Sequence, residues 1–459
     1  MQIEQLWKEL IDGTFDLTMP ICHVAQRLTD RPIVQQGAGF VAQDIAGRLH
    51  MRFFSPMSID QNARSYRQKL LHLTVGLPVD AFAFDLTAMD IHNNQWRSTW
   101  QRMEERSGAG TEVRIELTEI AKVDTCADPR QHREKRWLAP GEFHLPGGRR
   151  RDAGGSISGT EFSGECDGTH WQITQIQGGI DIRFWVDSGP LDPRSTYFLW
   201  ALQILLGRVI TPFITRYAYE GTLITLIKSR NRALEEMKLL NPVFFSDWIP
   251  TSSATEFIHC FIRMRQDQDV GMTPLGVIFQ FWHRMVRADQ DDVENVALIV
   301  SVGIEGIVKA NFQSELDVDQ ELIKHIATSK SIIKSIDIHE RIRIILLNSL
   351  GNAGRFRMKD VLKKLVDQGA ITNEHVDAWT YLRNSTAHGT VPRPGDISLQ
   401  SHLDKFRCCL DLFYRLTFLA VGYRGLFRDR SSAPWRTRVF LNSMETMLNS
   451  AASGSQQRS

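Results

Sequence analysis

The stretch His170–Asp187, HWQITQIQGGIDIRFWVD, determines how the first half of the chain is interpreted. Apolar and polar residues alternate over 171–173 and again over 180–186, and Gly178-Gly179 stands between the two runs. A period of two places alternate side chains on one face of a strand, and paired glycines permit the left-handed backbone of a tight turn. The stretch therefore predicts a β-hairpin with one buried face.

The same alternation recurs towards the N-terminus. Its clearest examples are Leu49, Met51 and Phe53; Phe82, Phe84 and Leu86; and Val113, Ile115 and Leu117. Residues 146–160, PGGRRRDAGGSISGT, have the composition of a long loop within one domain or of a boundary between two β-subdomains. We therefore expect a β-rich N-terminal domain over 1–240.

From about residue 195 the apolar spacing becomes that of helices. Asn241-Pro242 breaks the early helical pattern. Helices are predicted over 196–206, 217–239, 255–265, 275–287, 293–312, 320–335, 338–347, 359–368, 374–387 and 403–423. The expected fold class is α+β: a β-rich N-terminal domain ending in connector helices, an all-α bundle over 250–440, and a flexible tail over 441–459.

Composition narrows the classes of protein. The chain has 459 residues, of which 42% are hydrophobic, so it is not mainly disordered. Its net charge of +1 provides no global field for binding nucleic acid or membrane. The longest apolar run, 197–206, is too short to span a bilayer, and no signal peptide is present. We expect a soluble, cytoplasmic protein with no membrane partner.

Metal and cofactor motifs are missing from the sequence. The six cysteines form no CxxC pair, the histidines do not cluster at ligand spacing, and no phosphate-binding loop is present. No metal and no cofactor are therefore predicted.

The informative motif is Tyr381–Gly389, YLRNSTAHG. Arg383 is a permanent cation whose planar guanidinium fits phosphate oxygens. His388 carries a proton near neutral pH and can act as a general acid or base. Together they supply what RNA cleavage needs without a metal: one group moves a proton and the other stabilises negative charge on phosphorus.

Context distinguishes this motif from chance. Arg-x4-His is expected about once by chance in a chain of this length, and Arg67 with His72 has the same spacing without the flanking Asn and Gly. The motif at 383–388 ends a predicted helix that begins near Asn373. Residues five apart lie about 140° apart around a helix, so Arg383 and His388 share a site more readily across a dimer interface than within one helix.

The motif resembles the R-N-x-x-x-H signature of HEPN domains, which are all-α ribonuclease domains. The layout of 250–440 is similar to that of the ApeA-like HEPN group, including the apolar helix 297–308 with its single glutamate, Glu305. The region 1–240 is similar in character to the N-terminal domain of that group. The resemblance covers about nine-tenths of the chain, and only the motif at 383–388 is specific.

The resemblance implies roles for individual residues. Arg383 and His388 match the catalytic pair, and Asn384 matches the polar residue that follows the arginine. Glu305 matches the glutamate of the upstream helix, where a structural ion pair with an arginine is as plausible as a catalytic role. The family implies a homodimeric, metal-independent endoribonuclease that forms 2′,3′-cyclic phosphates and defends against phage by abortive infection. Among RNA substrates, tRNA is the candidate, and the N-terminal domain is expected to sense a phage-derived trigger.

A basic stretch at 404–438 is the candidate RNA-binding segment. It carries eight basic and three acidic residues, with aromatic residues interleaved. Cations bind phosphates and aromatic rings stack on unpaired bases; the alternative is a solvated helix whose aromatic residues pack in the core. The proposed RNA-binding residues are Arg407, Arg415, Tyr423, Arg424, Arg428 and Arg430. A second basic run, Arg133, Lys135, Arg136 and Arg149–Arg151, is interpreted as a solvated loop or a further RNA contact.

Two other functions remain open at this point. One is a non-catalytic HEPN-like dimer that binds nucleic acid or a partner protein. The other makes the β-rich domain a ligand-binding module, with the helical half as a platform for oligomerisation.

Overall fold

The chain forms two compact units in this computed structural model: Met1–Lys238 with Ser246–Thr251, and Leu239–Phe245 with Ser252–Ser459. The structure describes residues 2–27, 34–55, 83–100, 104–107, 111–126, 133–146, 150–151, 157–158, 161–243, 251–264, 273–288, 293–312, 320–353, 358–388, 397–431 and 435–440. The Arg67/His72 pair, Phe82, most of 146–160 and the tail at 441–459 lie outside these residues. A sheet unit followed by a helical unit confirms the α+β class.

The first unit consists mainly of antiparallel strands. Fourteen of its described strands form one sheet in the order β12-β13-β14-β9-β15-β16-β8-β5-β4-β1-β2-β3-β7-β6, and β10 pairs with β11. The strands are β1 (Asp16–Gln26), β2 (Val34–Gln43), β3 (Leu49–Ser55), β4 (Phe84–Met89), β5 (Gln95–Trp100), β6 (Glu104–Ser107), β7 (Thr111–Leu117), β8 (Glu119–Thr125), β9 (Glu134–Pro140), β10 (Arg150–Arg151), β11 (Ile157–Ser158), β12 (Glu161–Cys166), β13 (Thr169–Ile176), β14 (Gly179–Val186), β15 (Ile214–Tyr219) and β16 (Thr222–Lys228). Its helices are α1 (Ile3–Asp12), α2 (Leu191–Leu206) and α3 (Arg232–Glu236).

The hairpin predicted at 170–187 is confirmed as β13 and β14. Trp171 lies opposite Phe184 and Ile173 lies opposite Ile182, and all four side chains are buried. Phe198 of α2 packs its ring against those of Trp171 and Phe184. The period-two pattern therefore identified the face of the sheet that α2 covers.

The prediction of a helix over 217–239 is wrong, because most of that segment is the β15–β16 hairpin. Glu220 and Gly221 both have left-handed backbone, with φ of 48° and 76°, which is the geometry of a two-residue hairpin turn. Leu223 and Ile227 are buried on alternate positions of β16. The run LITLI, apolar apart from Thr225, hid this period of two, because Ile224 and Leu226 on the other face of β16 are apolar as well and half-buried.

The second unit is helical, with one short hairpin near its end. Its helices are α4 (Ser252–Arg263), α5 (Pro274–Ala288), α6 (Val293–Asn311), α7 (Gln320–Ser335), α8 (Glu340–Ala353), α9 (Met358–Asp367), α10 (Asn373–His388) and α11 (Ile397–Val421), and its strands are β17 (Leu426–Asp429) and β18 (Arg436–Val439). All eight helices predicted from 255 to 423 are present, with shifted ends. The predicted helix over 403–423 is longer than expected and starts at Ile397.

The core of the helical unit is formed where α5, α6, α10 and α11 pack together. Trp282 of α5, Ile304 of α6, Leu382 of α10 and Phe413 of α11 are fully buried there. Gly303 of α6 lies against α5 and α11: a Cβ there would be 3.2 Å from Phe281 and 3.3 Å from Phe413. Because α5 and α11 cover this face of α6, only the other faces of the helix remain for further contacts.

Candidate functional site

Helix α10 carries the motif predicted from sequence. Val376, Trp379 and Leu382, the expected apolar stripe, are buried. The indole Nε1 of Trp379 donates to the carbonyl oxygen of Ser301 in α6 at 3.2 Å. This bond fixes the position of α10 along α6.

One turn further along both helices, Arg383 meets Glu305. The guanidinium Nε donates to Glu305 Oε1 at 2.5 Å. Ser301 to Glu305 and Trp379 to Arg383 are both steps of four residues, so the two helices run parallel through this contact. The structure thus brings together two of the residues proposed from sequence.

The Glu305–Arg383 pair is open to solvent on one side. The side chains are 34% and 41% exposed, respectively. Leu298 and Val302, two turns and one turn before Glu305 on the same face of α6, are exposed as well. An apolar stripe that leads to a half-exposed ion pair is typical of a surface that binds another molecule.

The other two motif residues lie beyond Arg383. Asn384 is exposed. Residue 388 is the last of α10, and the side chain of His388 lies outside the described residues. Because the backbone remains helical as far as residue 388, positions 383 and 388 lie about 140° apart around the axis.

Sequence reasoning missed His402 of α11. It is buried, neither ring nitrogen has a hydrogen-bond partner among the described residues, and its ring centroid is 5.9 Å from that of Tyr381. Burial lowers the pKa of His402 and favours the neutral imidazole. A single histidine in a polar segment does not stand out in a sequence. Its burial beside Tyr381 becomes visible only from the packing of α10 against α11.

A second side-chain pair lies at the opposite end of α10. His375 Nε2 is 3.2 Å from Asp411 Oδ2 of α11, and both side chains are buried. His375 Nδ1 accepts from the backbone N–H of Thr372 at 3.0 Å, so the proton lies on Nε2 and is donated to Asp411. Asp411 also accepts from Arg415 Nε at 2.6 Å and from the backbone N–H of Arg430 at 2.9 Å.

Three of the proposed RNA-binding residues are buried or engaged by buried carboxylates, which corrects their assignment. Tyr423 is fully buried, and its hydroxyl donates to the carbonyl oxygen of Leu426. Arg415 is held by Asp411 and Asp429, and Arg430 is covered as well. For Tyr423 the alternative interpretation, an aromatic residue packed in the core, agrees with the structure; the two arginines are neither solvated nor free to bind RNA.

The remaining proposed RNA-binding residues are accessible. Arg424 is exposed, and Arg407 and Arg428 are half-buried. Lys135 and Arg136 of the second basic run lie in β9 rather than in the expected loop. Arg136 forms ion pairs with Asp181 and Glu4, and Lys135 with Asp192, which explains their positions without RNA.

No family model, curated protein or solved structure matches this chain. Within the described ranges, no cluster of three or more histidine, cysteine, aspartate or glutamate residues is arranged to hold a metal ion. No helix of the part that the structure describes has the length and apolar character needed to cross a bilayer.

Proposed function

We propose that this protein is a metal-independent RNA endonuclease of the HEPN type that acts in anti-phage defence by abortive infection. The observation that carries the proposal is the Glu305–Arg383 pair, formed by two residues that the family resemblance singles out. Its partial exposure leaves the arginine within reach of a phosphate, unlike a sealed structural pair.

The proposed chemistry uses the 2′-hydroxyl of RNA as nucleophile. His388 takes the proton from this hydroxyl or gives a proton to the leaving 5′-oxygen. Arg383 stabilises the extra negative charge on phosphorus, Glu305 orients the guanidinium through Nε, and Asn384 orients His388 or the phosphate. The products are a 2′,3′-cyclic phosphate and a free 5′-hydroxyl.

The site is proposed to form across a homodimer. The separation of about 140° between positions 383 and 388 works against a site built from one helix alone. Exposed Leu298 and Val302 provide apolar surface next to Arg383 that a second copy would cover. In this proposal the first unit senses a phage-derived trigger and tRNA is the substrate.

The test is cleavage of total RNA in EDTA by the wild type and by His388→Ala. The matched control is His325→Ala, which removes an exposed histidine of α7. We expect fragments with 2′,3′-cyclic phosphate ends from the wild type and the control only. Cleavage that survives His388→Ala would overturn the proposal.

The exposed stripe of α6 also supports the second candidate, a HEPN-like dimer that binds without cutting. That candidate predicts a dimer in solution and no cleavage by any variant, with or without extract from phage-infected cells.

A further inference from the structure

The end of α11 and the β17–β18 hairpin concentrate positive charge. Six arginines face three aspartates here: Arg407, Arg415, Arg428, Arg430, Arg436 and Arg438 against Asp404, Asp411 and Asp429. The aspartates are already engaged, since Asp429 pairs with Arg438 at 2.8 Å and Asp404 with Arg407 at 3.3 Å. An excess of three positive charges therefore remains in this part of the helical unit.

Arg430 is the member of this cluster that needs an explanation. Its side chain is only 2% exposed, and neither Nε nor Nη1 has a hydrogen-bond partner among the described residues. Nη2 makes one long bond, 3.4 Å, to Asn241 Oδ1. Burial lowers the pKa of Arg430 from its ordinary value. Because these donors are covered, a ligand at the surface does not reach them, and Arg430 acts by supporting the ring of Trp435 from inside the unit.

Trp435 lies beside Arg430 and reaches the surface. The guanidinium carbon of Arg430 is 5.8 Å from the indole centroid, that of Arg407 is 5.9 Å away, and the residue is 42% exposed. A partly exposed indole held by two cations provides a flat surface for an unstacked base, with positive charge next to it for the backbone.

We propose that the Trp435 surface, made of Trp435, Arg407, Arg436 and Arg438, binds single-stranded RNA. A base stacks on Trp435, and phosphates bind the arginines around it. This inference rests on the proposed function, because it identifies the surface that holds the strand to be cut.

The position of this surface suits that role. The contact between His402 and Tyr381 places residue 402 of α11 two residues before the level of Arg383 on α10. Because His375 meets Asp411 and Tyr381 meets His402, α11 runs antiparallel to α10, so Arg407, five residues beyond His402, lies about 10 Å along the axis from the level of Arg383. A strand bound at Trp435 would therefore lie within a few nucleotides of Arg383.

The test measures binding apart from cleavage. The full chain carrying His388→Ala is titrated into a fluorescently labelled single-stranded RNA, and anisotropy is recorded at several salt concentrations. Adding Trp435→Ala should weaken binding about tenfold or more, and Trp435→Phe should keep most of the affinity because the ring can still stack. Arg407→Gln should reduce the slope of log affinity against log salt by about 0.7.

Matched controls are Tyr219→Ala and Arg341→Gln, which remove an exposed aromatic ring and an exposed arginine outside this surface. Unchanged RNA affinity in Trp435→Ala, or an equal loss in the controls, would overturn the inference. The EDTA cleavage assay with His388 intact reports on the proposed function separately. RNA binding that depends on Trp435, with no RNA cleavage by the wild type, would support the proposed binding surface and contradict the proposed nuclease activity.

Discussion

Helix α10 contributes one side chain to each of two hydrogen-bonded pairs, and the pairs differ in their exposure to solvent. His375 and Asp411, near its first turn, are 0% and 3% exposed. Glu305 and Arg383, near its end, are 34% and 41% exposed. A sealed pair whose groups are fully hydrogen-bonded holds helices together, whereas an open pair contributes little stability and keeps its cation accessible. The same helix therefore has a structural end and a candidate chemical end.

The largest effect is expected when the sealed pair is broken. Asp411→Ala leaves His375 and Arg415 without their buried acceptor, so the free energy of unfolding should fall by about 3–5 kcal/mol. Urea denaturation followed by circular dichroism measures the change. Asp404→Ala, which removes an exposed aspartate from the same helix, is the control. A loss no larger than that of Asp404→Ala would contradict the structural role.

Removing Arg383 should have the opposite effect: a large loss of RNA cleavage with little loss of stability. Arg383→Ala should lower the rate of RNA cleavage by about 10²–10³-fold, because the charge that stabilises the transition state is lost. The free energy of unfolding should change by no more than about 1 kcal/mol, because the pair is half-exposed. The control variant Arg341→Ala should leave the cleavage rate and the free energy of unfolding unchanged. A stability loss comparable to that of Asp411→Ala would make the pair structural.

The two ends should also respond differently to acid. Burial alone would raise the pKa of Asp411, but hydrogen bonds from His375 and Arg415 and the positive charge of Arg415 hold it below the ordinary value of 3.8. Its contribution to stability is complete above the pKa of the unfolded carboxyl and is lost as pH falls through the lower folded pKa. Melting temperature against pH should show a steeper acid limb in the wild type than in Asp411→Asn. Superimposable acid limbs would argue against this linkage.

The smallest effect is expected from Glu305→Gln. The amide oxygen can still accept from Arg383 Nε, but a charge-assisted hydrogen bond is about twice as strong as a neutral one. Cleavage should therefore fall about tenfold, less than in Arg383→Ala, with stability unchanged. The initial rate on a defined RNA measures this. A loss as large as that of Arg383→Ala would give Glu305 a direct part in the chemistry.

Local patterns predicted the elements of the fold, and failures occurred where an apolar run had no visible period. Paired glycines and strict alternation predicted β13 and β14, whereas LITLI in β16 lacked alternation and was assigned to a helix. The pairing of Glu305 with Arg383 depends on how α6 packs on α10, which no local pattern specifies. Tyr423 and Arg430 look like RNA-binding residues in sequence, but the fold buries both against α11 and its neighbours. Their burial follows from tertiary packing that composition does not encode.

The most direct test mixes two inactive proteins, Arg383→Ala and His388→Ala, under conditions that exchange protomers, and measures RNA cleavage in EDTA. If each site takes its arginine from one copy and its histidine from the other, half of the dimers are mixed and each has one intact site. The mixture should then recover about a quarter of the wild-type rate, as expected for a two-fold symmetric dimer. A wild type that cleaves RNA beside a mixture that remains inactive would contradict the shared site. Cleavage by each variant alone at the wild-type rate would contradict the Arg383–His388 mechanism itself.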